Sequence, residues 1–183
     1  MKNSLPLNQP INQQVKTILN KYQLHIIIER LAYQLIENYS DLSSVVLIGI
    51  QPRGIFLSNE IFDQLNKINP GNRIHYCKMD ITFYRDDIRK ELHHPNQTDI
   101  SFSIEDKNVI LIDDVLYTGR TIRAALDALL AFGRPKKVEL CVLINRRFSR
   151  QLPIQPDYCG KSIDSVISQK VKVEWDKGKV ILY

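Results

Sequence analysis

The chain has 183 residues, 44% hydrophobic and 25% charged, with a formal net charge of +5. That length and balance fit one globular domain whose core needs neither disulfides nor a structural metal, and they exclude a long disordered or fibrous chain. The basic excess suits a site for phosphorylated ligands or a nucleic-acid surface without choosing between them.

The first residues, MKNSLPLNQPINQQ, lack the apolar core of a signal peptide, and no run reaches the length of a membrane span, so a cytoplasmic protein is expected. YQLHIIIERLAYQLIENY at 22 to 39 places apolar side chains at helical spacing and ends at the polar pair Ser40, Asp41. VVLIGI at 45 to 50 is short, apolar throughout and rich in β-branched residues, which predicts a strand buried on both faces. After the break QPRG, a helix is expected over IFLSNEIFDQLNKI, stopped by Asn69, Pro70 and Gly71.

RIHYCKMDI at 73 to 81 alternates as a strand does, and 82 to 103 form a long polar stretch of the kind that serves a site. VILI at 109 to 112 predicts a second buried strand, TIRAALDALLAF a helix closed by Gly133, and VELCVLI at 138 to 144 a third strand. VKVEW at 171 to 175 and KVILY at 179 to 183 read as a closing hairpin. Strands alternating with helices imply an α/β fold with a mostly parallel central sheet flanked by helices. No repeat or linker divides the chain. Cys77, Cys141 and Cys159 form no CxxC pair, so reduced thiols are expected rather than a zinc site or disulfides.

Function is concentrated in NVILIDDVLYTGRTIRAALDALLAFG. In a parallel sheet ligands lie beyond the carboxyl ends of the strands, where Asp113 and Asp114 fall. The residues after them lead into a helix whose first amides are free and whose dipole favours an anion. Gly119 permits a close turn around a phosphate, and Thr118 and Thr121 add hydroxyl donors. No lysine occupies the loop, so it is not a nucleoside-triphosphate P-loop, and the dinucleotide pattern Gly-x-Gly-x-x-Gly is absent. Two acids beside a phosphate cradle make sense if the ligand carries vicinal hydroxyls next to its phosphate. Carboxylates accept from hydroxyls and hold a hydrated Mg²⁺, and a ribose 5-phosphate meets the description.

ILIDDVLYTGRT closely resembles the phosphoribosyl-diphosphate signature of type I phosphoribosyltransferases. Together with GIQPRGI at 49 to 55, DITFYRDD at 80 to 87 and QLPIQPDYCGKSI at 151 to 163, it resembles the PyrR family of uracil phosphoribosyltransferases that also regulate pyrimidine operons. The likeness covers roughly residues 22 to 183 and leaves 1 to 21 outside as an extension.

The resemblance implies that Asp113 and Asp114 hold the ribose hydroxyls, directly or with Mg²⁺, that Thr118, Gly119, Arg120 and Thr121 cradle the 5-phosphate, and that Val115, Leu116 and Tyr117 before them also bind substrate. Pro52, Arg53 and Gly54 match the diphosphate loop, and the isomer of the Gln51–Pro52 bond stays open. Tyr84, Arg85, Asp86 and Asp87 match a loop that closes over the site and brings Arg85 to the diphosphate; His93 and His94 read as solvated. Residues 145 to 163 are expected to form a C-terminal hood for the base, with Arg146 stacking on it and Tyr158 and Cys159 offering backbone groups.

Here the chain departs from the family. NRRFSRQLPIQ has one residue more than the usual pattern, with Asn145 in place of an acid and Gln155 in place of arginine. The implied reaction joins uracil to phosphoribosyl diphosphate, giving UMP and diphosphate. A different class of function, an RNA-binding attenuator sensing uridine nucleotides, would draw on Arg30, Arg147, Arg150 and Lys161 for a pyrimidine-operon leader RNA, although Glu29 and Tyr33 replace expected basic or small polar residues. A third keeps the pocket and takes a purine or orotate. A homodimer or larger assembly is expected.

Overall fold

VVLIGI is buried at every position because it is an interior strand of a five-stranded parallel sheet with helices on both faces. The computed structural model describes residues 15–71, 73–85, 100 and 102–183. In chain order its elements are β1 (Lys16–Leu19), α1 (Lys21–Asn38), β2 (Val45–Ile50), α2 (Gly54–Ile68), β3 (His75–Met79), β4 (Asn108–Leu116), α3 (Arg120–Leu129), β5 (Lys137–Arg147), β6 (Tyr158–Asp164), β7 (Val171–Glu174) and β8 (Lys179–Leu182). The central sheet has the order β3-β2-β4-β5-β6, and a second sheet has the order β1-β8-β7.

Each face of the central sheet has its own apolar layer. On one side α1 supplies Ile28, Leu31 and Leu35, and α2 supplies Leu57, Ile61 and Leu65; these meet Leu47, Ile110, Ile112 and Leu143. Across the sheet, Ile122, Ala125 and Leu129 of α3 meet Val46, Ile48, Val109 and Leu111. Neighbouring strand residues point to opposite faces, which is why both layers draw on the same short runs. Each fully buried aliphatic side chain contributes about 1.5–3 kcal/mol.

Helix α1 starts at a capping box: the Gln23 amide donates to Asn20 Oδ1 at 2.9 Å and the Asn20 amide to Gln23 Oε1 at 3.0 Å. The apolar spacing locates this helix, and the cap moves its start to Lys21.

Several boundaries differ from the sequence expectation. β4 does not stop at Ile112 but runs through both acids to Leu116, with Asp113 opposite Val142 and Leu116 opposite Asn145 on β5. β5 continues to Arg147, and 158 to 163, expected in the hood, form β6 together with Asp164, extending the central sheet with Tyr158 opposite Cys141 and Arg146 opposite Ile163. The expected hairpin is present as β7 and β8. Its third strand comes from the segment read as an outside extension: β1 pairs with β8, Lys16 opposite Leu182. Leu19 is 2% exposed and shares a core with Val173 and Val180.

Candidate active site

The two acids sit near the carboxyl end of β4, buried, with Asp113 7% and Asp114 5% exposed. The Asp114 amide donates to Asp113 Oδ1 at 2.9 Å, whereas Asp114 Oδ2 is buried with no hydrogen-bond partner among the described residues. Burial, and then the adjacent Asp114 charge, hold the Asp113 carboxyl well above the usual range, with Arg85 and Arg53 pulling it back. Burial likewise raises Asp114, opposed chiefly by Arg53. Two crowded carboxylates, one with an idle oxygen, are stabilised by hydroxyl donors or a cation. No cluster of three or more His, Cys, Asp or Glu is found among the described residues, so a Mg²⁺ here would share these two acids with ligand oxygens and water. The donor set fits that ion.

Beyond the acids lies a cavity of about 370 Å³ lined by Arg85, Asp113, Val115 to Ile122 and Gln151. Gly119 adopts φ +93°, a left-handed conformation that suits glycine, and caps α3. Arg120, Thr121 and Ile122, the first residues of α3, line the cavity, and the free amides of a helix start suit a phosphate. Thr118 and Thr121 line the same space, and Thr118 Oγ1 accepts from the Arg120 amide at 3.4 Å.

The loop after β2 approaches from the side. Gln51–Pro52 is cis, and α2 starts at Gly54 where no side chain fits: a Cβ there would lie 2.3 Å from the Ile112 carbonyl oxygen and 3.1 Å from Asp113 Cα. This contact brings Arg53 to the acids. Tyr84 ends a 3₁₀ turn over Thr82–Tyr84 and Arg85 follows it at the cavity wall. Asp86, Asp87, His93 and His94 lie outside the described residues.

Arg53, Arg85, both acids and the loop from Val115 to Thr121 therefore come together. The three residues expected at the base have partners within the chain. Arg146, 4% exposed, lies over the Tyr117 ring with Cζ 4.0 Å from its centroid and donates to Ser165 Oγ and to the Val166 and Gln169 carbonyls. Tyr158 points into the core, donating to Glu139 Oε2 at 2.8 Å, and burial first and then this carboxylate push its hydroxyl up to about 12. The Cys159 carbonyl accepts from Arg30 Nη2 at 3.0 Å. Gln151, a wall residue, is not among the residues assigned a role from the sequence; it enters there only as the first residue of QLPIQPDYCGKSI.

The Phosphoribosyl transferase domain model matches residues 14–177. The Bifunctional protein PyrR of Latilactobacillus sakei is 43% identical over 164 residues, covering 87% of this chain and 90% of the relative. The protein of the same name from Bacillus subtilis is 40% identical over 168 residues, covering 90% and 92%. Among solved structures, a hypoxanthine-guanine phosphoribosyltransferase from Bacillus anthracis superposes with a TM-score of 0.65 at 20% identity, over 82% of this chain and 84% of that one. A hypoxanthine phosphoribosyltransferase from Staphylococcus aureus gives 0.63 at 20% identity, over 87% and 83%. The latter two show the fold, and their bases do not transfer to this chain. The fold, the acid pair ahead of a left-handed glycine and the extent of these matches agree: the chain is a phosphoribosyltransferase and belongs to the PyrR family.

Proposed function

We propose that this enzyme transfers the phosphoribosyl group of phosphoribosyl diphosphate to N1 of uracil, with Mg²⁺, releasing UMP and diphosphate. The observation that carries the reading is the cavity in which Asp113, Arg85 and the amide loop Thr118–Thr121 face one another. In this assignment the loop and the α3 amides bind the 5-phosphate, Asp113 and Asp114 take the ribose hydroxyls, and Arg53 and Arg85 receive the diphosphate. Bound Mg²⁺ would neutralise leaving-group charge. The protein's share is to align the two substrates, stabilise the departing diphosphate with its guanidinium groups and keep water from the anomeric carbon. No protein nucleophile is needed.

Uracil is assigned from the four motifs of the PyrR resemblance, and the cytoplasm as the site of action from the free thiols and the family. Diphosphate release should be measured with phosphoribosyl diphosphate and Mg²⁺, testing uracil against hypoxanthine, guanine and orotate. Selective turnover of uracil supports the reading. Turnover of another base replaces it, and binding of the nucleotide without any turnover makes the protein a sensor.

A second activity is favoured by the relatives' description as bifunctional. Its proposed form is recognition of a pyrimidine-operon leader RNA. The cations assigned to it all have partners within the chain: Arg30 with the Cys159 and Gly160 carbonyls, Arg147 with Asp164, Arg150 with Asn145 and Tyr117, and Lys161 with the Ile18 carbonyl. Salt-sensitive binding of the leader RNA, weakened in Arg147→Ala, supports the role, and equal affinity for unrelated RNA removes it. Tyr22, Ile26 and Tyr33, exposed along α1, support a homodimer or larger assembly, which sedimentation measures directly.

A further inference from the structure

Tyr117, in the loop that faces the phosphate, is held from two directions. Arg146 covers its ring, and Arg150 Nη1 donates to its carbonyl. The second arginine is itself tied down, since Arg150 Nη2 donates to Asn145 Oδ1 at 2.6 Å. The next residue continues the attachment: the Gln151 amide donates to the Thr118 carbonyl at 3.0 Å, and Gln151 Oε1 accepts from Arg120 Nε at 2.9 Å. Over Gly119, a Cβ would stand 3.3 Å from Ile154 Cδ1 and 3.4 Å from Leu152 Cβ. Every residue from Tyr117 to Arg120 thus meets a partner from the stretch 146 to 154.

A phosphate cradle is effective only if its amides are aimed before the ligand arrives, because ordering them on binding would consume affinity. The turn between β4 and α3 has no ladder of its own to hold it. The stretch that does hold it is the one where this chain departs from the family pattern, and there Phe148 stands exposed at φ +63°, a conformation unfavourable for a side chain with a Cβ.

We infer that Arg150 and Gln151 are positioning residues for the phosphoribosyl site, fixing the shape of the loop Tyr117–Arg120 without touching the reacting atoms. The inference rests on the phosphoribosyltransferase reading above and adds to it the source of the loop's rigidity. Arg150 is paired with a backbone carbonyl and a neutral amide, where a planar, forked donor reaches both and an ammonium reaches one. Its effect should therefore fall on one substrate and depend on donor geometry.

The test is calorimetric binding of phosphoribosyl diphosphate with Mg²⁺, together with KM for each substrate and thermal unfolding, in wild type, Arg150→Met, Arg150→Lys, Gln151→Ala and Gln151→Glu. Arg150→Met should weaken binding and raise KM for phosphoribosyl diphosphate about tenfold, with little change in KM for uracil. Arg150→Lys should fall between the two, and Gln151→Glu, which keeps an acceptor for Arg120, should exceed Gln151→Ala in affinity. A folded Arg150→Met protein with wild-type affinity, or an equal rise in both KM values, overturns the inference. If Arg150→Met does not fold, the order of the two Gln151 variants and of Arg150→Lys decides in the same way. Wild type that fails to bind phosphoribosyl diphosphate overturns the functional reading instead, so the two failures are distinct.

Discussion

Asp114 Oδ2 is a buried carboxylate oxygen with no donor among the described residues, beside a second buried carboxyl. Such a group destabilises the ligand-free fold, and in the proposed site it would acquire its partners from substrate and cation. Asp114→Asn should reduce turnover by about a hundredfold or more, while urea unfolding shows stability equal to wild type or higher. Undiminished turnover would remove the central assignment. Gly54 presents the opposite case, a position where an added atom does the damage. With the Ile112 oxygen 2.3 Å from where a methyl group would stand, Gly54→Ala must push α2 away from β4. A cost of about 1–3 kcal/mol is expected, with turnover falling because Arg53 moves with the helix; urea midpoints and kcat measured together check it.

The element that most changes the sequence-level description is β1. Its pairing with β8 and the burial of Leu19 make the segment before α1 part of the fold. Leu19→Ala should cost about 2–4 kcal/mol, a loss readable by chemical denaturation; a cost near zero would show that β1 is dispensable. A second joint lies where α1, β5 and β6 meet. Tyr39 and Tyr158 donate to Glu139 Oε2 at 2.6 and 2.8 Å, and Lys137 donates to its other oxygen. Burial alone would raise the Glu139 carboxyl, but these donors more than offset it and hold it below the ordinary range. A carboxyl with a depressed folded pKa adds stability above its unfolded value and loses it as pH falls through the folded one. Glu139→Gln should cost about 1–3 kcal/mol at neutral pH, with the gap to wild type closing below about pH 4. Unfolding curves at several pH values would show a constant gap if the charge is irrelevant.

For the whole molecule, the fold and the proposed cation are separable. The apolar layers on both faces of the sheet are complete from protein side chains, and the acids are proposed to take up their ion only together with the substrate. Phosphoribosyl diphosphate with Mg²⁺ should raise the melting temperature, by an amount equivalent to about 2.7 kcal/mol at a hundredfold excess over Kd. A chelator should abolish that shift and turnover, yet leave the melting of the ligand-free protein unchanged. Loss of ligand-free stability on chelation would mean a structural metal.

VVLIGI, VILI and VELCVLI announce a buried parallel sheet because a strand covered on both faces must be apolar at each position. Asp113, Asp114 and the Thr118–Thr121 loop are legible for a related reason: the acids, glycine and hydroxyls of the proposed site are neighbours in the chain, and their spacing along it is their spacing around the cavity. What the chain alone did not reveal depends on partners distant in sequence. β4 and β5 run on past their apolar cores because each ladder has a neighbour to bond, and β6, polar on its outer face, is a strand only through β5. The attachment of β1 to β8 and of Gln151 to Thr118 likewise joins segments whose proximity tertiary folding alone creates. Local spacing determined the chemistry of this protein, and only long-range pairing decided which residues hold that chemistry in shape.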